Sequence, residues 1–359
     1  MKQVYLSLLL AGLTAAPALG QKTTVNAFPK PLAPVANAGM KAPQFHLPSA
    51  IDDKKKGITM YAGQRLDQSK HRSWVKWQTG DSFNFTKIYE YIHHDKYNED
   101  QQRGIYMGAY DSSNDTYYAF FNMHYTFGDM PMALAKVNML TGDTTNVFQF
   151  ADLAKPDVEQ TAWYNGRYKY AMAYDPVQKV MYALGADYEN GDPNLGYTVL
   201  YEVNLNATTL NDLFTKVKDM DGLYWDFCFD TQGNAWFAQK YGGSDGIVKG
   251  TNLVKMDGDF NRISEVKMQS EWGEDINSIY FSTMYFDNST GDLYYLPCSD
   301  YGSTSLYKVN PTTGISQSVA WFNQGNHFTG LYIPYLTADN GAAPARVSGL
   351  DAQADLNGA

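Results

Sequence analysis

The chain has 359 residues, 44% of them hydrophobic and 15% aromatic, enough apolar surface for a large core and too much for a disordered polypeptide. Its 28 tyrosines and 30 glycines suit strands and tight turns better than helices. A formal charge of −10 with no basic stripe argues against nucleic acid or an anionic membrane surface as a partner.

Residues 1–20 have the pattern of a secretory signal peptide. Met1-Lys2 supply the positive end, Val4 to Ala16 a short apolar core, and Pro17-Ala18-Leu19-Gly20 a small-residue exit. That core is shorter than the roughly 20 residues a spanning helix needs. Cleavage after Gly20 and a secreted or cell-surface protein, with no membrane insertion, are therefore expected. Residues 21–56 carry Pro29, Pro31, Pro34, Pro43 and Pro48 and end in Asp52-Asp53-Lys54-Lys55-Lys56, a Pro-rich linker without periodicity.

From Gly57 a short alternating pattern recurs at Trp74–Gln78, Leu134–Asn138, Leu200–Asn204, Leu253–Asp257 and Leu306–Asn310. Apolar and polar residues alternate in each copy, which is the period of a strand. The third repeat shows the unit best. Tyr170–Tyr174 leads through the turn Asp175-Pro176-Val177-Gln178 to Val180–Leu184, and strands at Leu200–Asn204 and Phe214–Val217 complete it. A four-stranded unit of roughly 40–50 residues plus loop insertions is a propeller blade.

The first copy lacks an inner strand, because Asp52–Lys56 is polar where one is needed. Phe328-Thr329-Gly330-Leu331-Tyr332-Ile333 lies beyond the last repeat with no partners of its own. If it completes the first blade, no sheet edge is orphaned. The expectation is an all-β, five-bladed β-propeller over residues 57–336 with velcro closure by the C-terminal strand.

Ala343-Pro344-Ala345-Arg346-Val347-Ser348-Gly349-Leu350 resembles the opening strand of a fibronectin type III module, and residues 343–359 are assigned to its start, truncated well short of the ~100 residues such a sandwich needs. Taken with the repeats, the chain resembles the secreted bacterial β-propeller proteins that carry fibronectin type III modules. That resemblance implies an extracellular binding or scaffolding role and supplies no catalytic residues.

Chemistry is less legible. Asp111, Asp175, Asp230 and Asp287 each end an inner strand and begin a tight turn, so they are expected to cap turns rather than form a carboxylate cluster. The long connections, among them Ile92–Gly104, Asn122–Ala133, Ala151–Arg167, Asp187–Tyr197, Tyr241–Asn252 and Met268–Ser278, all fall on one face of a propeller, which makes that face the expected ligand site. His124, Tyr125, Trp163, Arg167, Trp225, Asp226, Trp272 and Tyr301 are its candidate ligand-binding residues, since aromatic rings beside polar groups stack on sugars or protein side chains.

The favoured function is an exported binding or adhesion module for a glycan or a protein. One alternative is a glycoside hydrolase-like enzyme using Asp226 near the axis with Glu274, because that chemistry wants two carboxylates roughly 5–10 Å apart. Another is a spacer without a ligand. No cofactor or metal is expected: His93-His94-Asp95 lacks distant partners, the acidic turns Asp219–Gly222 and Asp257–Asp259 lack the spacing of a calcium loop, and Gly242-Gly243-Ser244-Asp245-Gly246 lies between strands, where a nucleophile elbow does not. Cys228 and Cys298 are the two cysteines, and their pairing is open.

Overall fold

The structure is a computed structural model that describes residues 58–66, 72–80, 84–94, 100–114, 116–125, 128–149, 168–186, 198–242, 248–278, 282–287, 290–298, 302–303 and 305–333. The expected signal peptide, linker and fibronectin-like start lie outside these residues.

The strands form five sheets. Blade 1 contains β1 (Thr59–Leu66), β2 (Ser73–Gln78) and β3 (Thr86–Glu90). Blade 2 contains β4 (Ile92–His94), β5 (Asp100–Asp111), β6 (Thr116–Tyr125), β7 (Gly128–Val137) and β8 (Thr144–Gln149). Blade 3 contains β9 (Tyr168–Asp175), β10 (Val180–Ala186), β11 (Thr198–Val203) and β12 (Phe214–Asp219), with one helical turn, α1 (Leu210–Leu213), before β12. Blade 4 contains β13 (Tyr224–Phe229), β14 (Ala235–Gly242), β15 (Val248–Met256) and β16 (Arg262–Lys267). Blade 5 contains β17 (Gln269–Ser270), β18 (Thr283–Asp287), β19 (Asp292–Leu296), β20 (Ser305–Val309) and β21 (Ile315–Trp321).

The remaining strand, β22 (His327–Tyr332), is the inner strand of blade 1. It runs antiparallel to β1, with Tyr61 opposite Tyr332 and Gly63 opposite Thr329. The inner strands β22, β5, β9, β13 and β18 each touch the next around a closed ring. The protein is thus a five-bladed β-propeller whose last strand seals its first blade.

Both faces of the middle strands are apolar because each sheet is covered by a neighbour on either side. Trp74, Tyr117, Phe121 and Tyr332 meet where blades 1 and 2 pack, and Trp77, Phe322 and Phe328 where blades 5 and 1 pack. Each such side chain, wholly withdrawn from water, contributes roughly 1.5–3 kcal/mol.

The structure differs from expectation in three of the long connections. Asn122–Ala133 continues β6 and β7 as a paired ladder to Tyr125 opposite Gly128. Pro131 hides this in the sequence, since proline argues against a strand interior. It sits opposite Asn122 at a register shift, where a missing N–H is tolerated. Ile92–His94 likewise pairs with Asp100–Gln102, and β14 and β15 remain paired out to Gly242 and Val248.

Candidate functional site at the mouth of the central channel

The inner strands wall a central cavity lined by Met107–Tyr110, Ala171–Tyr174, Asp226–Phe229, Thr283–Phe286 and Thr329–Leu331. It offers about 50 Å³, room for a few waters and too little for a sugar ring.

Asp226 lies in this lining, as its place on an inner strand suggested. It is 5% exposed, and the Met284 N–H of the next blade donates to its Oδ2 at 2.5 Å. One blade on, Thr283 occupies the equivalent position, and its Oγ1 accepts from the Leu331 N–H at 2.9 Å. The carboxylate therefore bridges two inner strands as a threonine does elsewhere. Burial pushes its pKa well above the ordinary value, partly offset by the N–H groups of Phe227 and Met284 and by Thr283.

Trp225 is the extra residue of a β-bulge, since Tyr224 pairs with Gln239 and Asp226 with Ala238. Tyr106 and Tyr170 occupy the same bulged position in blades 2 and 3. A bulge re-aims the side chain it carries, and here it sends an aromatic across to the next blade. The Tyr170 hydroxyl donates to the Tyr224 carbonyl at 2.8 Å, and the Trp225 Nε1–H to the Ser278 carbonyl at 3.1 Å. Tyr170 and Trp225 are thus inter-blade ties. The signal was present in the sequence, as each stands five positions before the turn aspartate of its blade.

Sequence reasoning missed Lys240, near the long-loop end of β14. Its ammonium lies 5.0 Å from the centre of the Trp225 ring. The residue is half-buried, and burial lowers its pKa.

Trp272 and Glu274 lie together, away from the axis. β17 pairs with β21 on the outermost side of blade 5, so the turn that follows is at the perimeter. The Gly273 N–H donates to the Ser270 carbonyl at 2.9 Å and the Ser270 N–H to the Glu274 carbonyl at 2.7 Å. Asp275 braces the turn from outside by accepting from Lys267 at 2.6 Å, Gln269 at 2.8 Å and the Tyr241 hydroxyl at 2.8 Å. Burial alone would raise its pKa, but the three partners together outweigh it and hold the carboxyl below the usual carboxylate range. Trp272 is left 77% exposed. Glu274 is exposed too, and its carboxylate acts on Tyr307 of β20. Asp226 and Glu274 thus have separate surroundings, and the structure does not bring them together.

Of the other candidates, Trp163, Arg167 and Tyr301 lie outside the described residues. So do the side chains of His124 and Tyr125, whose backbones pair opposite Asp129 and Gly128. The repeated aspartates cap turns: Asp111, Asp175 and Asp230 accept the N–H two residues on at 2.8, 2.8 and 2.9 Å, and Asp287 accepts from the Thr290 hydroxyl at 2.9 Å. Cys228 and Cys298 are buried thiols that are not joined in a disulfide, and Cys298 Sγ lies 3.1 Å from His327 Nδ1. Among the described residues no three His, Cys, Asp or Glu side chains gather as a metal site, and no helix is long and apolar enough to cross a membrane.

No protein-family model matches the chain, and no curated protein matches it. Solved structures do resemble it. A GH43 β-1,3-galactosidase with galactodeoxynojirimycin is 7% identical over 70% of this chain and 86% of that one, with a TM-score of 0.40. The GH43_1 enzyme from Xanthomonas citri complexed with xylotriose is 9% identical over 60% and 73%, with a TM-score of 0.39. A gluconolactonase from Xanthomonas campestris is 10% identical over 68% and 94%, with a TM-score of 0.32. At this distance the likeness carries no argument about chemistry.

Proposed function

We propose that the protein is an exported binding module that holds a glycan on the long-loop face of its propeller. The observation that carries this reading is the use to which the axial carboxylate is put. Asp226 is occupied in joining β13 to β18, Glu274 is at the perimeter, and a cavity of about 50 Å³ does not admit the ring between them that hydrolysis requires. The polar and aromatic groups at the mouth, Trp225 and Lys240, are placed to contact a ligand without entering the channel. A binding role also asks for a rigid scaffold beneath the contact residues, and the closed ring supplies one.

A glycan array probed with the purified full-length chain tests the proposal: saturable binding to a defined set of saccharides is expected, and an array with no bound spot overturns it. A second reading, a glycoside hydrolase with Asp226 as general acid, draws support from the raised pKa of that group. Asp226→Asn separates the two, because it abolishes turnover in an enzyme and leaves saccharide affinity intact in a binding module.

A further inference from the structure

We propose that the corner formed by Trp225 and Lys240 receives the carboxylate of an acidic glycan. This inference rests on the glycan-binding reading above and adds to it the charge of the ligand.

The argument is one of charge balance. Among the described residues, Arg262 faces Asp221 and Glu265, Lys267 faces Asp275, Lys308 faces Asp292, and Lys255 lies 4.0 Å from Asp230. Lys240 is half-buried and, among the described residues, has no carboxylate partner; its ammonium meets the Trp225 ring at 5.0 Å. A cation over an indole is stabilised by the ring quadrupole, yet that attraction falls short of the hydration an ammonium gives up when half withdrawn from water. The depression of its pKa by burial has the same origin. The adjacent acid cannot serve, because Asp226 is turned into the channel and bonded to Met284. An anionic group arriving with a ligand completes the site.

The indole is fixed as well. Its Nε1–H is bound to the Ser278 carbonyl at 3.1 Å, and its edge meets Tyr170 with ring centres 6.3 Å apart. Lys240 is held by its backbone, whose N–H donates to the Leu223 carbonyl at 2.8 Å. Little ordering is therefore left to do on binding. Peptides are commonly captured along a free strand edge or in an apolar groove. Among the described residues the inner strands enclose a narrow channel and present neither at this corner, which favours an acidic saccharide over an acidic peptide.

Isothermal titration of the full-length chain tests this, using galacturonate, glucuronate and mannuronate trisaccharides, their neutral galactose, glucose and mannose counterparts, and a glutamate-rich peptide. At least one uronate trisaccharide should bind about tenfold or more tighter than its neutral counterpart, with a preference that shrinks as salt is raised. Lys240→Met should erase the preference with the unfolding temperature unchanged, and Lys240→Arg should keep it. Equal affinity for charged and neutral sugars overturns the inference and spares the glycan-binding reading, as does a preference that survives in Lys240→Met. Binding of the peptide alone overturns the ligand class. If no saccharide binds, the inference falls with the reading beneath it.

Discussion

The Tyr117 hydroxyl, on β6 of blade 2, donates a 2.5 Å hydrogen bond to the Gly330 carbonyl on the strand that closes the ring. The two residues are 213 apart in sequence. Gly330 has a φ of +61°, and a Cβ there would overlap the Tyr117 oxygen. Glycine is required on both counts. Tyr117→Phe leaves a buried carbonyl without its donor and should cost about 1–3 kcal/mol in urea unfolding. Gly330→Ala should cost more, since it adds backbone strain and displaces the hydroxyl.

Deleting β22 by ending the chain at Phe322 should do graver damage. It removes the inner strand of blade 1 and exposes the edge of β1, which is a template for intermolecular pairing. Size-exclusion chromatography should show aggregation, and circular dichroism should show a broad unfolding transition in place of a cooperative one. A monomer with a sharp transition would mean that the ring closes without its clasp.

Asp226 predicts a pH dependence. Burial raises its folded pKa above the ordinary 3.8, so the folded protein binds this proton more tightly than the unfolded chain. Its stabilising contribution is complete below that ordinary value and is lost as pH rises through the folded value. Asp226→Asn lacks this loss. The unfolding temperature of the variant relative to the native protein should therefore climb with pH and level off above the folded pKa, as read by calorimetry across a pH series.

The capping aspartates should matter to stability alone. Asp230 accepts from the N–H groups of Gln232 and Asn234 at 2.9 Å each and from the Trp236 Nε1–H at 3.0 Å. Asp230→Ala should lower unfolding free energy by about 1–3 kcal/mol and leave saccharide affinity unaltered, because its turn is on the face opposite the long loops.

Trp272 separates ligand contact from folding. With 77% of its surface in water, Trp272→Ala should shift stability by no more than about 0.5 kcal/mol. If the perimeter turn joins the binding face, the same variant should weaken saccharide binding several-fold in titration. Unchanged affinity would confine the site to the mouth of the channel.

Much of the fold was legible because strand alternation and turn aspartates are local signals. The incomplete first repeat even pointed to Phe328–Ile333, and Tyr332 does pair opposite Tyr61. The extension of β6 and β7 was obscured by Pro131, which is harmless only at the register shift opposite Asn122. At the site, Asp226 was placed near the axis from its position on an inner strand, and it lies in the channel lining. Glu274 was drawn to it by lying in the loop just before Asn277-Ser278, the expected start of the next inner strand. The chain leaving β16 instead emerges beyond the outermost strand of blade 5, because twist within a blade swings outer strands away from the direction of inner ones. Lys240 could not be found from sequence at all, since its interest lies in the carboxylate that tertiary packing withholds from it.

The antiparallel register of β1 and β22 also sets how the molecule answers to pulling. Thr59 and Tyr332 lie at the same end of the pair, with Leu66 and His327 at the other. Tension applied between the two chain ends would load these bonds singly from one end, a zipper rather than a shear lock, and open the toroid at low force. Tension between the chain entering β1 and a point on the rim can pass instead through the β1–β2 pairing, where Thr59 lies opposite Gln78, and spare that seam.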